Sequence, residues 1–234
     1  MKYLGIDGCR AGWLLLGLND DGENMCQLLP RIVELDAYLA LAEVILIDIP
    51  IGLRGRHPDE RSCDKQARRV LRPDRGASIF PAPSRCALQC QTYEQASERN
   101  RGCTGRRLSK QSYAILPKIR EVDDYLKQRD RRAKIHEMHP EVCFWALNNQ
   151  TAMRYNKKQR EGYEERLAVL TRYASQARHT IELAMQQYKR ADVARDDIVD
   201  ALAGAVTARN SQPLRRFPES PETDEVGLPM EIVY

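Results

Sequence analysis

The chain has 234 residues, of which 42% are hydrophobic and 30% are charged, and its formal net charge at pH 7 is +4. This composition excludes the low-hydrophobicity class of disordered proteins, and the length suits one domain that buries roughly 70% of its unfolded surface. The mild positive charge permits a polyanionic partner but does not indicate one by itself.

The sequence lacks the patterns of a membrane or exported protein. Its longest apolar stretch, residues 41–53, is interrupted by Glu43 and Asp48, and a membrane helix needs about 18 consecutive apolar residues. Asp7 and Arg10 stand where a secretory signal needs an unbroken apolar core, so we expect a cytoplasmic protein. Its seven cysteines are then expected to be reduced thiols rather than a disulfide framework. They contain no Cys-x-x-Cys pair, so a zinc site is not favoured.

The opening of the chain predicts strands. Three apolar stretches separated by Gly- and Asp-rich breaks predict an antiparallel meander: Tyr3 to Ile6, Trp13 to Leu18 and Cys26 to Ile32. A short helix is predicted over residues 33–41, and the apolar run at 44–49 is typical of a strand buried on both faces. This order opens a ribonuclease H-like (RNase H-like) sheet, in which the crossover places the fourth strand parallel to and beside the first. Asp7 and Asp48 would then be neighbours.

The middle of the chain predicts an insertion and then a return to the sheet. Residues 54–107 are rich in Arg, Pro, Cys and Ser, with one helix predicted around residues 64–71. Ser109 is predicted to cap a long helix that Pro117 kinks. A fifth strand is predicted from Ala133 to Met138.

The last third of the chain predicts helices. One begins at His139-Pro140-Glu141, a second covers about residues 164–188, and a third covers about residues 193–209. The Pro-rich tail, residues 211–234, is expected to be mostly irregular, with an edge strand at 230–233.

Four aspartates are expected to meet at one edge of this α/β domain, which would cover residues 1–210 as a mixed five-stranded sheet flanked by helices. Asp7 and Asp48 end apolar strands, where a carboxylate is costly unless it is paired, hydrogen-bonded or bound to a cation. Asp197 and Asp200 are three residues apart and share one helical face. Four hard oxygen ligands suit Mg²⁺ or Mn²⁺ better than zinc, and a pair of such ions can hydrolyse a phosphodiester. Each aspartate alone fits a turn, a strand end or a helix start equally well, so the prediction rests on the set.

Three motifs contain these aspartates: Gly5-Ile6-Asp7-Gly8-Cys9-Arg10-Ala11-Gly12-Trp13, Ile47-Asp48-Ile49-Pro50-Ile51-Gly52-Leu53 and Asp196-Asp197-Ile198-Val199-Asp200-Ala201. Together they resemble the DUF429 family, described as predicted RNase H-like nucleases. Residues 78–83, 117–123 and 137–141 extend the resemblance over nearly the whole chain. The resemblance implies an RNase H-like fold, a Mg²⁺- or Mn²⁺-dependent nuclease and a nucleic-acid partner.

A second resemblance concerns the acids. The Asp-x-x-Asp-Ala form at residues 197–201 resembles the last motif of Holliday-junction resolvases, in which both acids bind metal. Asp7 matches their first-strand aspartate, while Asp48 stands where they usually have a glutamate, whose longer side chain gives a different metal spacing. The family pattern also implies that Glu137 lines the cleft as a catalytic acid. Glu141 is a further acid in that pattern, or else only a first-turn helix residue.

Several cationic residues and one histidine lie within or just after the motifs and are candidates for substrate binding: Arg10, Arg54, Arg85, Lys118 and His139. Near an acidic cluster such groups can hold phosphate oxygens. The alternative for the cations is an ordinary solvated charge. For His139 it is a structural role, as opposed to that of a general base or acid.

Two other functional classes compete with a nuclease. A non-catalytic RNase H-like module that binds nucleic acid or protein would be expected to lose one or more of the acids. An actin-like phosphotransferase would need a second glycine-rich phosphate hairpin, which is not found. The type of nucleic acid, a homodimer and the participation of Asp196 are left open.

Overall fold

A mixed five-stranded sheet lies at the centre of the computed structural model, which describes residues 1–127 and 134–234. The strands are β1 Tyr3–Cys9, β2 Gly12–Leu18, β3 Asn24–Leu29, β4 Val44–Asp48 and β5 Ile135–Glu137. Their order is β3-β2-β1-β4-β5, with β1 antiparallel to β2 and parallel to β4, and β4 parallel to β5. This α/β arrangement is compatible with the predicted RNase H-like order. Ala133, at the predicted start of the fifth strand, lies outside the described residues.

Side chains of the central strands alternate between two apolar cores, one on each face of the sheet. In β1, Leu4 and Ile6 join one core while Tyr3 joins the other. In β4, Ile47 joins the core that contains Leu4 and Ile6, while Leu46 joins the core that contains Tyr3. Because both faces are covered, these strands read as continuous apolar runs in the sequence.

Helices cover both faces of the sheet. The face that includes Leu46 is covered by α6 Pro140–Leu147, α7 Arg160–Tyr173, α8 Ala177–Gln187 and α9 Arg195–Asn210. The opposite face is covered by a 3-10 helix at Ile32–Leu35, α1 Asp36–Leu39, α4 Lys110–Ala114 and α5 Leu116–Leu126. Two further helices, α2 Ser62–Val70 and α3 Tyr93–Thr104, lie in the segment between β4 and α4. Within residues 1–127 and 134–234, the helices are all too short or too polar to cross a membrane.

The last helix packs against β1 most closely at Gly5. A Cβ atom placed on Gly5 would lie 2.0 Å from the carbonyl oxygen of Ala201 and 2.3 Å from the amide nitrogen of Ala205. These distances leave no room for any side chain. Because residues two apart in a strand share a face, Asp7 points to the same side as Gly5. The close approach therefore brings the part of α9 that contains Asp200 toward Asp7.

Two helix predictions were wrong in their boundaries. The single helix predicted over residues 164–188 is two helices, because the backbone at Ala174 is extended. Arg209 donates a hydrogen bond of 2.5 Å to the carbonyl of Tyr173, which satisfies an acceptor that the end of α7 leaves open. The predicted kink at Pro117 is instead a break between α4 and α5, with the proline in the first turn of α5, where it costs no hydrogen bond.

The segment 54–107 contains a helix that the sequence did not predict. Thr92 caps α3 by accepting a hydrogen bond from the amide of Gln95, and Gly105 ends it in a left-handed conformation. This helix brings Cys103 to Cys86, and the two form a disulfide. The expectation of reduced cysteines was therefore wrong for this pair, because the spacing of the cysteines does not show the pairing until α3 is known. The free cysteines among the described residues are Cys9, Cys26, Cys63, Cys90 and Cys143.

The C-terminal tail is more ordered than its proline content predicts. The predicted edge strand at 230–233 is β7 Ile232–Val233, which pairs antiparallel with β6 Arg216–Phe217. Val233 also forms a parallel bridge with Met138, directly after β5. The tail is thus packed beside the sheet.

Candidate metal centre

Three aspartates from three elements lie together at the carboxyl edge of the parallel strands. Asp7 lies in β1, Asp48 ends β4, and Asp200 lies in the second turn of α9. One carboxylate oxygen of each lies within 4.8 Å of the other two. Asp7 and Asp48 are register partners, and the close approach at Gly5 holds α9 over them. The fold therefore brings together acids that are up to 193 positions apart in the sequence, from Asp7 to Asp200.

Burial and mutual repulsion make this group costly when it is fully ionised. Burial, followed by the charges of Asp48 and Asp200, raises the pKa of Asp7 well above its usual range. Burial and the charge of Asp200 raise the pKa of Asp48 to about 8. Burial also raises the pKa of Asp200, although the ammonium of Lys157 opposes that rise. Such a group favours either shared protons or a bound cation.

Within the described residues, a side-chain hydrogen bond offsets this cost only at Asp200, which accepts one from Lys157. For Asp7 and Asp48 the main influences on the pKa are burial and neighbouring charges. The Oδ1 atom of Asp200 is buried and has no hydrogen-bond partner among the described residues. A buried acceptor without a partner costs about 1–3 kcal/mol. A hard cation would satisfy several of these oxygens at once, so the all-carboxylate donor set fits Mg²⁺ or Mn²⁺.

Asp197, the fourth predicted ligand, is not within this group of three. Its carboxylate accepts a hydrogen bond of 2.8 Å from the amide of Ala194 and so closes the first turn of α9. Burial raises the pKa of Asp197 to about 6, against the effect of that hydrogen bond. Its charge contributes to the raised pKa of Asp7, so it lies near the group although it serves the helix start. The neighbouring Asp196 lies 4.0 Å from Lys157.

Glu137 lines the same cleft as Asp7 and Asp48. It is the register partner of Ile47 and therefore points to the sheet face opposite Asp48. Both of its oxygens accept hydrogen bonds of 2.7 Å from Arg61, and one accepts a further bond of 2.6 Å from the amide of Ile51. Burial raises the pKa of Glu137 to about 7, against the effect of Arg61. Its oxygens are used in a buried ion pair with Arg61, and a catalytic role for Glu137 stays a prediction.

Glu141 is likewise held in an ion pair. Arg166 donates a hydrogen bond of 2.5 Å to its Oε1 atom. The same guanidinium donates to the carbonyls of Tyr155 and Gly162, and so joins α6, α7 and the loop between them.

The predicted arginines bind carboxylates of the protein. Arg54 makes two hydrogen bonds, of 2.7 and 2.9 Å, to Glu222. Arg85 pairs with Asp123 and Asp224. Arg54 and Arg85 thus have partners within the chain, and Arg10 is exposed just after β1. Substrate binding by these arginines stays a prediction.

Lys118 and His139 both line the cleft beside the aspartates. Lys118 donates a hydrogen bond of 2.5 Å to the carbonyl of Gly12, and its ammonium lies 4.3 Å from the centre of the Trp13 ring. His139 caps α6 by accepting a hydrogen bond of 3.2 Å from the amide of Glu141. Burial and then the charge of Lys157 lower the pKa of His139 to about 4, so it is neutral at pH 7. Its contacts are those of a structural histidine.

The cleft itself has a volume of about 310 Å³. Asp7, Asp48 and Lys157 lie along one part of it, and apolar side chains including Phe80 and Ile115 line another. A ligand in this cleft would meet both carboxylates and an apolar wall.

Three cations that pair with the buried acids described above were not predicted from the sequence: Arg61, Lys157 and Arg166. Lys157 lies in a basic stretch, residues 154–166, and such a stretch is typical of a solvated surface. A local signal does exist at Gly162, which lies inside α7 and whose Cβ would lie 2.0 Å from the carbonyl oxygen of Asn156. A glycine at such a position indicates a close backbone approach, and here the loop that presents Lys157 is held against the helix.

Comparison with known proteins gives one match. A family described as "Protein of unknown function (DUF429)" matches residues 5–223. The comparison with curated proteins finds no match. The comparison with solved structures also finds none.

Proposed function

The chain belongs to the DUF429 family of proteins of unknown function, and we propose from its site that it is a metal-dependent nuclease with an RNase H-like fold. The observation that supports this proposal is the group of three carboxylates from Asp7, Asp48 and Asp200, with oxygens within 4.8 Å of one another. The mixed sheet places two of them on adjacent parallel strands, and one helix supplies the third.

Asp7, Asp48 and Asp200 would hold Mg²⁺ or Mn²⁺, because carboxylate oxygens are the ligands that these hard cations prefer. An ion held by these residues would supply Lewis-acid activation of water and positive charge beside a phosphate. The chain provides fixed positions for the ligands, since paired strands hold Asp7 and Asp48, and the close packing at Gly5 holds α9. Such preorganisation reduces the cost of reorganisation during the reaction.

The walls of the cleft support a nucleic acid as the substrate class. Lys118 and Lys157 line it beside the acids and offer positive charge to phosphate oxygens. Phe80 and Ile115 give it an apolar wall of the kind against which flat bases pack. A polymer of phosphates and bases matches both features.

The test combines metal binding with a substrate panel. Calorimetry should show Mn²⁺ binding to the wild type at millimolar concentrations or below, and linear, branched, hybrid and single-stranded nucleic acids should then be screened for cleavage. Asp48→Asn keeps the size of the side chain but removes the charge that a hard cation needs, so it should abolish both metal binding and cleavage.

The matched control is Asp21→Asn, which removes a carboxylate from an exposed turn. It should leave metal binding and cleavage unchanged. A wild-type protein that binds no Mn²⁺ would rule out the proposal. Normal Mn²⁺ binding by Asp48→Asn would remove Asp48 from the site.

A further inference from the structure

Lys157 holds an unusual position for a surface lysine. It lies in the loop between α6 and α7, and its ammonium pairs with the carboxylate of Asp200. The ammonium also lies 4.0 Å from Asp196. The side chain is 36% exposed, whereas that of Asp200 is 1% exposed. A partly exposed cation thus reaches in to a buried acid.

The other cations near the three aspartates have partners elsewhere. Lys118 donates to the carbonyl of Gly12 and lies against the Trp13 ring. Arg166 donates to Glu141 and to two backbone carbonyls. Lys157 is therefore the cation in the described residues that binds a carboxylate of the group directly.

This ion pair and a metal ion require the same carboxylate. Asp200 supplies one of the three oxygens that lie within 4.8 Å of one another. A divalent ion held there would place positive charge close to the Lys157 ammonium, inside a buried site where like charges are poorly screened. The two cations therefore oppose each other at Asp200. A lysine has a flexible four-carbon stem, so its ammonium can leave while the loop stays in place.

We infer that Lys157 is a built-in competitor of the metal, which holds Asp200 in the metal-free protein and must leave Asp200 when a divalent cation binds. This inference rests on the proposed metal site, and it adds a mechanism that controls its occupancy. In the metal-free state the ammonium offsets the repulsion among the aspartates. In the metal-bound state it is released beside the cleft that it already lines.

The first test measures the Mn²⁺ affinity and the metal-free melting temperature of Lys157→Met by calorimetry. Removing the competitor should tighten Mn²⁺ binding by roughly 5- to 150-fold, the usual range for coupling between two ligands of one protein. The metal-free melting temperature should fall, because the aspartates lose their counter-charge. Lys157→Arg keeps the charge and should not bind Mn²⁺ more tightly than the wild type.

Lys158→Met is the matched control, since Lys158 is the exposed neighbour of Lys157. It should change neither quantity. Mn²⁺ binding by Lys157→Met that is equal to or weaker than that of the wild type overturns the inference, and leaves the proposed metal site standing. If the wild type and all variants fail to bind Mn²⁺, the proposed function and this inference fail together.

A second measurement uses the wild-type protein, so it does not depend on whether Lys157→Met folds. Lysine acetylation followed by mass spectrometry should show that Mn²⁺ increases the labelling rate of Lys157 relative to Lys158, because the ammonium loses its partner. An unchanged ratio at saturating Mn²⁺ overturns the inference.

Discussion

Two groups of buried acids lie at the same edge of the sheet, on opposite faces, and their surroundings differ. The aspartate group consists of Asp7, Asp48 and Asp200, and the arginine network consists of Arg61, Asp64 and Glu137. In the arginine network one guanidinium donates to both carboxylates and to the carbonyls of Ile51 and Gly52. In the aspartate group three carboxylates face one another and one lysine reaches one of them.

The comparison shows that burial alone does not distinguish the acids of the proposed metal site from those of the arginine network. Both Glu137 and Asp200 are nearly inaccessible to solvent. What differs is the supply of donors, which is complete around Glu137 and incomplete around Asp200, whose Oδ1 atom has no partner in the described chain. Arg61 thus supplies donors to both acids of its network, whereas the aspartate group keeps an oxygen that a bound cation would satisfy. The following predictions test this distinction.

The largest effect is expected for Arg61→Met. It leaves Asp64 and Glu137 buried without a counter-charge, and breaking a buried ion pair in this way costs about 3–5 kcal/mol. Urea unfolding should show this loss in the free energy of unfolding. The control is Arg54→Met, which breaks a two-hydrogen-bond pair with the exposed Glu222 and should cost no more than about 1 kcal/mol. Similar losses in the two variants would show that the arginine network adds no special stability.

The next largest effect is expected when amide substitutions in the two groups are compared. The free energy of unfolding of each variant is measured in EDTA, which removes bound metal. Glu137→Gln removes an acceptor from a complete network and should lower the free energy of unfolding by about 1–3 kcal/mol. Asp48→Asn removes one of several repelling charges and should leave the metal-free stability unchanged or slightly higher. If Asp48→Asn is destabilised as much as Glu137→Gln, the two groups do not differ as proposed.

The pH dependence of the metal-free protein should also reflect the aspartate group. Folding raises the pKa of Asp48 from 3.8 to about 8. The unfolded chain releases this proton more readily, so stability should fall as the pH rises from about 4 toward 8 and should level off above that. The melting temperature should therefore decrease between pH 5 and pH 8.

Asp48→Asn provides the control for this titration. The decrease should be shallower in this variant, though not absent, because burial also raises the pKa values of Asp7 and Asp200. Saturating Mn²⁺ should reduce the decrease in the wild type, since the metal binds the ionised carboxylates. A melting temperature that does not change over this range would count against the raised pKa of Asp48.

The smallest effect is expected at His139, which lines the cleft but has structural contacts. His139→Ala removes the cap of α6 and should cost about 1 kcal/mol, whereas His139→Asn supplies another capping oxygen and should cost less. Neither should change the Mn²⁺ affinity. A cleavage rate that collapses in both variants, with stability preserved, would instead assign His139 a catalytic role.

The sequence was sufficient to predict the meeting of Asp7 and Asp48. Both aspartates end apolar runs that were predicted as strands. Because a crossover between parallel strands is right-handed and usually short, β4 was expected to lie beside β1. The same reasoning placed Asp200 on a helix that covers this edge. Each of these predictions depended on a regular element with a clear hydrophobic pattern.

The remaining contacts depended on details that such patterns do not contain. The face on which Glu137 points follows from its register with Ile47, and shifting the register by one residue would reverse it. The hydrogen bond between Asp197 and Ala194 depends on where α9 begins, and helix boundaries are poorly defined in a sequence. Lys157 lies in a loop, which has no periodic signal at all. The pairing of Cys86 with Cys103 likewise depended on α3, a helix whose apolar residues form no clear stripe along one face.

The absent side chain at Gly5 also has a consequence for ion size. The bare backbone of Gly5 lets α9 lie close against β1, and this spacing influences how far apart the oxygens of Asp7 and Asp200 lie. Oxygen ligands stand about 2.0–2.1 Å from Mg²⁺ and about 2.3–2.6 Å from Ca²⁺. A side chain at position 5 would push α9 away from β1 and increase the distance between the oxygens of Asp7 and Asp200. Gly5 thus contributes to the size of the ion that the proposed metal site would accept.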